Sequence, residues 1–319
     1  MVNKPPLVSV IVPTFNSAPF LQRCFDSIFN QSMKDLEIIA VDDLSSDDTV
    51  AILESYRRSR GLTVVQSQVK GLPGGARNLG LERALGKYIS FIDSDDWIDT
   101  NFLHTMVRSI ESSGACVSVS GVKREWDNAK NSSVRYRYSV ENVVDGRFAL
   151  SLLSHTIDQD VSISAIVCNK LFRSDFLQKN GLRFIENIYN EDDVFMFEAL
   201  RNAQRVHLTD GTYYHQYQRR GSASRNFGRK HIDDLFQAFS TIRDKLTTSG
   251  QFDAFKLHYY AFFEKCLGYL LETVRLSALD DETVRAHYKY AFAICGAAIS
   301  FDEFIDYCGS KRIEEFFSL

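Results

Sequence analysis

Ile89-Ser90-Phe91-Ile92-Asp93-Ser94-Asp95-Asp96-Trp97 is the stretch on which the reading of this chain turns. A mostly apolar run leads straight into three carboxylates within four positions. Such a run reads as a buried strand, and the acids mark where the chain leaves its sheet. Crowded carboxylates repel one another unless a cation sits among them. Mg2+ and Mn2+ take oxygen ligands, commonly one or two carboxylates together with substrate phosphates. Asp93-Ser94-Asp95 therefore reads as a place where a metal holds a phosphorylated ligand. Taken alone, an Asp-x-Asp fits equally a solvated turn capping the helix expected near Thr100, so the flanking sequence must decide.

Upstream, strands and helices alternate. Residues 7–12 form a short β-branched run stopped by Pro13, and Pro13-Thr14-Phe15-Asn16 reads as a loop. Apolar residues at helical spacing (Phe20, Leu21, Cys24, Phe25, Ile28) predict a helix within 18–31. A second strand over 36–41 ends in Asp42-Asp43, a helix runs to about Arg58, and a third strand covers 62–66. Lys70-Gly71-Leu72-Pro73-Gly74-Gly75 reads as a flexible loop before a helix over 76–85. This order implies a parallel, Rossmann-like sheet with helices on both faces.

Ligands of such sheets collect beyond the carboxyl ends of the strands. The polar clusters fall there: Thr14 and Asn16, Asp42 and Asp43, Gly74 with Arg77 and Asn78, then Asp93 to Asp96. The coincidence points to a nucleotide. An ionised Asp43 can accept from a base N–H. Arg77 can meet a phosphate or a base edge through its fork, or pair with the acidic strand ends. The glycine loop is neither a P-loop nor a dinucleotide fingerprint.

Composition narrows the classes. The chain has 319 residues, 45% of them apolar, enough for two domains or one domain with an appendage. A net charge of −4 gives no basic field, so nucleic acid is not the expected partner. No apolar run is long enough to cross a bilayer, and no secretory signal pattern opens the sequence. Six scattered cysteines without a C-x-x-C pair argue against structural zinc and for a reducing, cytoplasmic setting.

The series V-S-V-I-V-P-T-F-N, I-I-A-V-D-D-L-S-S-D-D-T, G-G-A-R-N-L-G and I-S-F-I-D-S-D-D-W resembles the nucleotide-sugar domain of family 2 glycosyltransferases, the GT-A fold. Four blocks in order are far more specific than one. Two positions depart from the family pattern: Leu44 stands where glycine is usual, and Phe15 where tyrosine is usual. The resemblance implies that Pro13 and Phe15 flank the base, that Asp43 reads uracil and that Arg77 supports the nucleotide. It further implies that Asp93 and Asp95 bind ribose and a metal–diphosphate, with Thr14, Asn16, Gly74 and Ser94 alongside.

Farther on, residues 123–138 are charged and irregular, a surface hairpin or excursion. Tyr189-Asn190-Glu191-Asp192-Asp193-Val194-Phe195 opens a helix with acids, which the helix dipole favours by a few tenths to one kcal/mol. N-K-L-F-R, G-L-R-F and E-D-D-V-F resemble the acceptor side of bacterial polysaccharide members of the family. On that likeness Asp192 is the catalytic base and Glu191 positions it, although Asp193 blurs the assignment by one place. Residues 213–225 read as a strand leading to a basic loop. There His215, Arg219, Arg220, Ser222 and Ser224 could close over a diphosphate, with His215 on the metal or a phosphate. Four helical stretches follow, over 230–247, 252–276, 282–298 and 301–317.

The expected molecule is thus α/β: a GT-A domain with a mostly parallel sheet plus a C-terminal helical appendage. Its parts are residues 1–120 for the nucleotide sugar, 121–228 for the acceptor and lid, and 229–319 for the helices. The expected activity is inverting, metal-dependent transfer from a UDP-sugar to a glycan or lipid-linked glycan in bacterial surface polysaccharide synthesis, using Mn2+ or Mg2+. A homodimer and a peripheral seat on the membrane stay open. The alternatives are a nucleotidyltransferase, which needs no base at the sugar, and a non-catalytic glycan-binding relic of the fold.

Overall fold

In the computed structural model, which describes residues 4–126, 132–138, 141–157, 161–218, 228–275, 280–298 and 301–309, one sheet organises the chain. Its first part comes from β1 (Val8–Thr14), β2 (Leu36–Asp42), β3 (Thr63–Gln66) and β4 (Tyr88–Phe91), joined by helices α1 (Leu21–Phe29), α2 (Thr49–Arg60) and α3 (Leu72–Arg83). All pairings among these strands are parallel, in the order β3-β2-β1-β4. β1 is fully buried, as its unbroken apolar run requires of a central parallel strand.

The strand does not stop at Pro13. It runs to Thr14, with Pro13 opposite Val41 of β2. The side carrying its missing N–H explains the tolerance. Ile11 accepts from Ile92 on the β4 side, and alternation turns residue 13 to that same side. Pairing with β4 has ended there, at Ile11 opposite Phe91, so no ladder bond is forfeited.

The glycine loop is likewise shorter than expected. α3 begins at Leu72, with Pro73 in its first turn and Gly74 and Gly75 inside the helix. Proline at this point is preset for a helix. Gly74 has a packing reason: a Cβ there would lie 2.3 Å from Ile185 O and 3.3 Å from Glu191 Cβ. The glycine lets α3 press against the segment that carries the acidic triplet.

Beyond β4 the chain makes β5 (Trp97–Ile98), α4 (Phe102–Ser113), β6 (Val117–Glu125), β7 (Ser132–Tyr136), β8 (Asn142–Val144) and α5 (Gly146–Ser154). Then follow β9 (Lys170–Arg173), α6 (Ser174–Lys179), α7 (Glu191–Asn202) and β10 (Val206–Tyr217). The sheet continues β9-β6-β10-β5, with β7 on β6 and β8 on β10. Here the parallel character fails. β9 enters antiparallel between β4 and β6, and only β6 with β10 remains parallel. The sheet is therefore mixed, parallel in its β3-β2-β1-β4 part. The irregular stretch at 123–138 is a hairpin of β6 and β7, so far as its residues are described.

α8 (Arg229–Thr248), α9 (Phe252–Arg275), α10 (Asp281–Ala298) and α11 (Phe301–Cys308) complete the described elements, and the part of the expected 301–317 helix beyond residue 309 lies outside the described residues. Their apolar stripes join the same core as the sheet: Phe197 of α7 stacks 6.2 Å from Phe262 of α9, and Phe239 of α8 lies 5.4 Å from Phe262. No helix among the described residues is long and apolar enough to cross a membrane.

A box of aromatic rings fixes the geometry that matters most. Phe91 of β4, Phe172 of β9, Phe184 and Phe195 of α7 meet with centroids 4.1–6.1 Å apart, mostly edge to face. Each such pair adds about 0.5–1.5 kcal/mol beyond area burial. Phe91 stands two residues before Asp93, and Phe195 one helical turn after Asp192. Packing the rings together therefore brings the two acids to one place.

Candidate active site

Arg77 is where they meet. Its Nη1 donates to Glu191 Oε1 at 2.7 Å and to Asp192 Oδ1 at 3.0 Å, and its Nη2 to Asp93 Oδ1 at 2.9 Å. The Arg77 side chain is 4% exposed and Glu191 6%, whereas Asp192 is 21% and Asp93 35% exposed. The cluster is thus sealed at Arg77 and Glu191 and opens to solvent along Asp192 and Asp93. Asp192 Oδ2 also accepts from the Val167 N–H at 3.3 Å.

All three acids of the first turn of α7 face a helix dipole that favours their charge. Burial wins nonetheless. It pushes Glu191 up, with the Asp192 charge adding to it, and it raises Asp192 despite the opposing Arg77 guanidinium. A carboxylate raised above its ordinary value, partly open to solvent and held by an arginine, suits proton acceptance. Asp193 turns elsewhere. It accepts from Asn190 Nδ2 at 2.9 Å, its neighbours are Cys266 and Lys265 of α9, and burial raises it to about 6. Of the three acids in a row, Glu191 and Asp192 face Arg77, and Asp193 serves the helical side.

At the strand ends, Thr14 Oγ1 donates to Val41 O at 3.1 Å and Thr14 O accepts the Asp43 N–H at 2.9 Å. Asp43 Oδ1 accepts from the Gly71 N–H at 2.9 Å. Asp42 Oδ1 is buried with no partner among the described residues, an acceptor awaiting a donor. Asn16 is bound to the neighbouring loop, accepting the Ser46 N–H at 2.8 Å. Phe15 is 40% exposed with the Lys70 ammonium 3.4 Å from its ring centre. Leu44, in the place of the usual glycine, holds a left-handed φ of 63°, which costs a leucine about 1–2 kcal/mol. Ser94 shares a buried 2.7 Å bond with Ser17.

Asp96 is a tie, not a ligand. It is buried, accepts from the Tyr214 hydroxyl and, at 2.7 Å, from the Tyr217 N–H, and so fastens β10 to the acidic stretch. Burial, then the charges of Asp95 and Asp93, raise it well above the carboxylate range. That crowding tests the fit of a metal. Asp93 and Asp95 are two half-exposed carboxylates close enough to raise a third, which matches the sparse protein ligation of Mg2+ and Mn2+. Among the described residues no group of three or more His, Cys, Asp or Glu side chains gathers that could hold a metal ion by itself.

His215 departs from expectation. Its Nδ1 lies 2.9 Å from Glu125 Oε1 and its Nε2 3.0 Å from Asp99 Oδ1, and the ring stacks 5.1 Å from Trp97. Both nitrogens meet carboxylates because β10 pairs at this residue with β5 on one side and β6 on the other. It does not join Asp93 and Asp95 in a ligand set. Arg219, Arg220, Ser222 and Ser224 lie outside the described residues.

Sequence reasoning missed Gly74 as a packing residue and the buried ammonium of Lys170 behind Asp192. It counted Asn78 among the ligand-side polar groups and missed that its side chain binds the Phe184 N–H and C=O, each at 3.0 Å, and so fixes one wall of the aromatic box. The G-G-A-R-N run contained that signal, since small residues and an amide crowd at a helix start.

A mixed α/β sheet with nucleotide-side acids and a second acidic pair on one arginine defines a GT-A type protein. The model of glycosyl transferase family 2 matches residues 9–179, and the chain belongs to that family. It is 30% identical over 210 residues to the uncharacterized glycosyltransferase EpsJ of Bacillus subtilis (strain 168), covering 66% of this chain and 60% of EpsJ. It is also 30% identical over 218 residues to the poly(ribitol-phosphate) beta-N-acetylglucosaminyltransferase TarS of Staphylococcus aureus (strain MW2), covering 67% of this chain but 36% of TarS. The chain thus spans less than two thirds of either relative. The crystal structure of TarS 1-349 in complex with UDP-GlcNAc superposes with a TM-score of 0.61 at 22% identity, over 94% of this chain and 89% of that one. The mannosyltransferase PcManGT of Pyrobaculum calidifontis, in complex with GDP-Man and Mn2+, gives 0.54 at 15% identity, over 99% and 86%.

Proposed function

We propose that this protein is an inverting glycosyltransferase that moves a sugar from a UDP-sugar to a hydroxyl of a bacterial surface glycan, free or lipid-linked. The observation that carries the reading is the joint hold of Arg77 on Asp93 of the nucleotide side and Asp192 of the acceptor side. A donor whose phosphates lie at Asp93 would have its anomeric carbon facing Asp192.

Asp192 then takes the proton of the acceptor hydroxyl as that oxygen attacks the anomeric carbon in one displacement. Glu191, kept neutral by burial, bonds Arg77 and sets the place of Asp192 without adding a second charge. Asp43 and Phe15 meet the base, and the orphaned Asp42 oxygen is suited to a donor from the nucleoside. Asp95 and Asp93 would hold Mn2+ or Mg2+, which when bound offsets charge on the leaving diphosphate. Residues 1–120 serve the nucleotide sugar, 121–228 the acceptor and 229–319 support α7. A UDP-sugar donor implies work in the cytoplasm, on the inner face of the membrane where the acceptor is lipid-linked.

A thermal-shift panel of UDP, GDP and ADP with Mn2+, followed by UDP release from a set of UDP-sugars, tests the reading. UDP should stabilise most; a ligand at a hundredfold excess over Kd contributes about 2.7 kcal/mol. Equal shifts with GDP would overturn the role given to Asp43. Full turnover in Asp192→Asn would favour a nucleotidyltransferase, and absence of any nucleotide-dependent shift would favour a glycan-binding relic.

A further inference from the structure

Lys170 stands at the start of β9 with no exposed surface. Burying an ammonium is costly unless its protons are met. All three are met here, by the Ser164 carbonyl at 2.9 Å, the Ile166 carbonyl at 2.5 Å and Asn169 Oδ1 at 2.7 Å. None of these acceptors is a carboxylate, so no ion pair explains the placement.

The Ile166 carbonyl belongs to the same peptide group as the Val167 N–H. That N–H is the one donating to Asp192 Oδ2 at 3.3 Å. One planar amide therefore runs from the ammonium to the acid, its oxygen on Lys170 and its hydrogen on Asp192. A cation on the oxygen polarises the amide and strengthens the bond its N–H gives. The ammonium also fixes the plane, since Ser164, Ile166 and Asn169 converge on one atom.

We propose that Lys170 is a positioning residue for Asp192, acting through the Ile166–Val167 peptide to hold and keep ionised the carboxylate that accepts the acceptor proton. The cation this needs is present on the acid side of neutrality, where the acid limb is read. Burial brings Lys170 down to about 7, Asp192 of α7 is the strongest charge holding it up, Cys168 adds to that, and Arg135 of β7 opposes. In return Lys170 lowers Asp192.

The inference rests on Asp192 being the base, and the test separates the two. Turnover is read as UDP release from the donor selected by the nucleotide-sugar panel, in wild type, Lys170→Met, Asp192→Asn and the double variant. Lys170→Met should lower turnover at pH 7 by about 10- to 100-fold, the scale of a misplaced reacting group. It should leave UDP affinity within about twofold and move the acid limb of the pH profile to higher pH, because a carboxylate without its nearby cation binds protons more readily. Added to Asp192→Asn it should cost nothing further. An unmoved acid limb, or a loss that multiplies with that of Asp192→Asn, would mean a merely structural lysine and overturn the proposal. Full turnover in Asp192→Asn alone would instead sink the base assignment, before Lys170 is touched. Where Lys170→Met does not fold, Lys170→Gln keeps a donor without the charge and the same shift is expected. A chain that folds with neither substitution overturns the proposal.

Discussion

Asp93 and Asp192, 99 positions apart in the chain, are bound to opposite nitrogens of the Arg77 guanidinium at 2.9 and 3.0 Å. This places the chain just beyond β4 beside the start of α7, the two sides proposed to meet nucleotide and acceptor. It also makes Arg77 the most consequential single residue of the site. Arg77→Met leaves Glu191 without its buried donor and Asp192 and Asp93 without their cation, a change worth about 1–3 kcal/mol. The expected outcome is a drop in melting temperature with loss of turnover. Arg77→Lys keeps the charge but not a planar fork that reaches three carboxylates. It should recover part of the stability and little of the activity, which melts and UDP release together would read.

Asp192→Asn removes the proposed proton acceptor while keeping shape and the Val167 bond. Turnover should fall about 100- to 10,000-fold, with UDP affinity within about twofold. Glu191→Gln should behave otherwise. Burial and the Asp192 charge raise Glu191, so glutamine copies the neutral acid that already stands there. Its loss at pH 6–7 should stay under about tenfold. A larger loss for Glu191→Gln than for Asp192→Asn would exchange the two roles. The wild-type profile should lose activity as pH falls through the raised value of Asp192, above that of an ordinary aspartate.

The nucleotide half was legible because its chemistry is local. Each polar cluster sits at the end of its own strand, so order along the chain already gives position in space. Asp43 and Asp93 could be placed from the strand pattern alone. The second half was not legible in this way. β9 and β10 insert between elements far away in sequence, and nothing in K-L-F-R declares an antiparallel neighbour. The same limit hid the pairing of Arg77 with Glu191, 114 positions apart, which depends on aromatic packing that no local spacing reveals. The contacts of His215 were hidden for the related reason that its partners Asp99 and Glu125 come from beyond β5 and from the end of β6. Asp193 was ambiguous only because three acids in a row differ by helix rotation, about 100° each, and rotation is set by what the helix packs on.

Asp193 gives a prediction about stability. Its carboxyl is raised to about 6 by burial, above the 3.8 of an ordinary aspartate. The folded state therefore binds this proton more tightly than the unfolded chain. The contribution is fully present below the unfolded value and is lost as pH rises through about 6. Asp193→Asn carries no such charge. Between pH 5 and 8 the variant should gain about 1.4 kcal/mol of stability relative to wild type, most of it between pH 5 and 6. Thermal melts at a series of pH values would show it, and a difference independent of pH would contradict the assigned burial.

Gly74 and Gly75 are adjacent, helical and alike in sequence, yet they should respond in opposite ways to alanine. At Gly74 the new methyl would meet a backbone oxygen, Ile185 O at 2.3 Å, which cannot rotate away. The segment ahead of α7 would have to shift, and with it Glu191, whose Cβ lies 3.3 Å from the same point. Overpacking of this kind costs about 1–3 kcal/mol, and the displaced acids should lower turnover more than the melt alone implies. At Gly75 the nearest atoms belong to the Glu186 side chain at 3.8 Å, an ordinary contact. Alanine there replaces glycine inside a helix, a gain of up to about 1 kcal/mol. Gly75→Ala should fold at least as well as wild type and keep its turnover. If both substitutions proved equally harmless, the close approach of α3 to the acidic helix would not be what sets the geometry of the site.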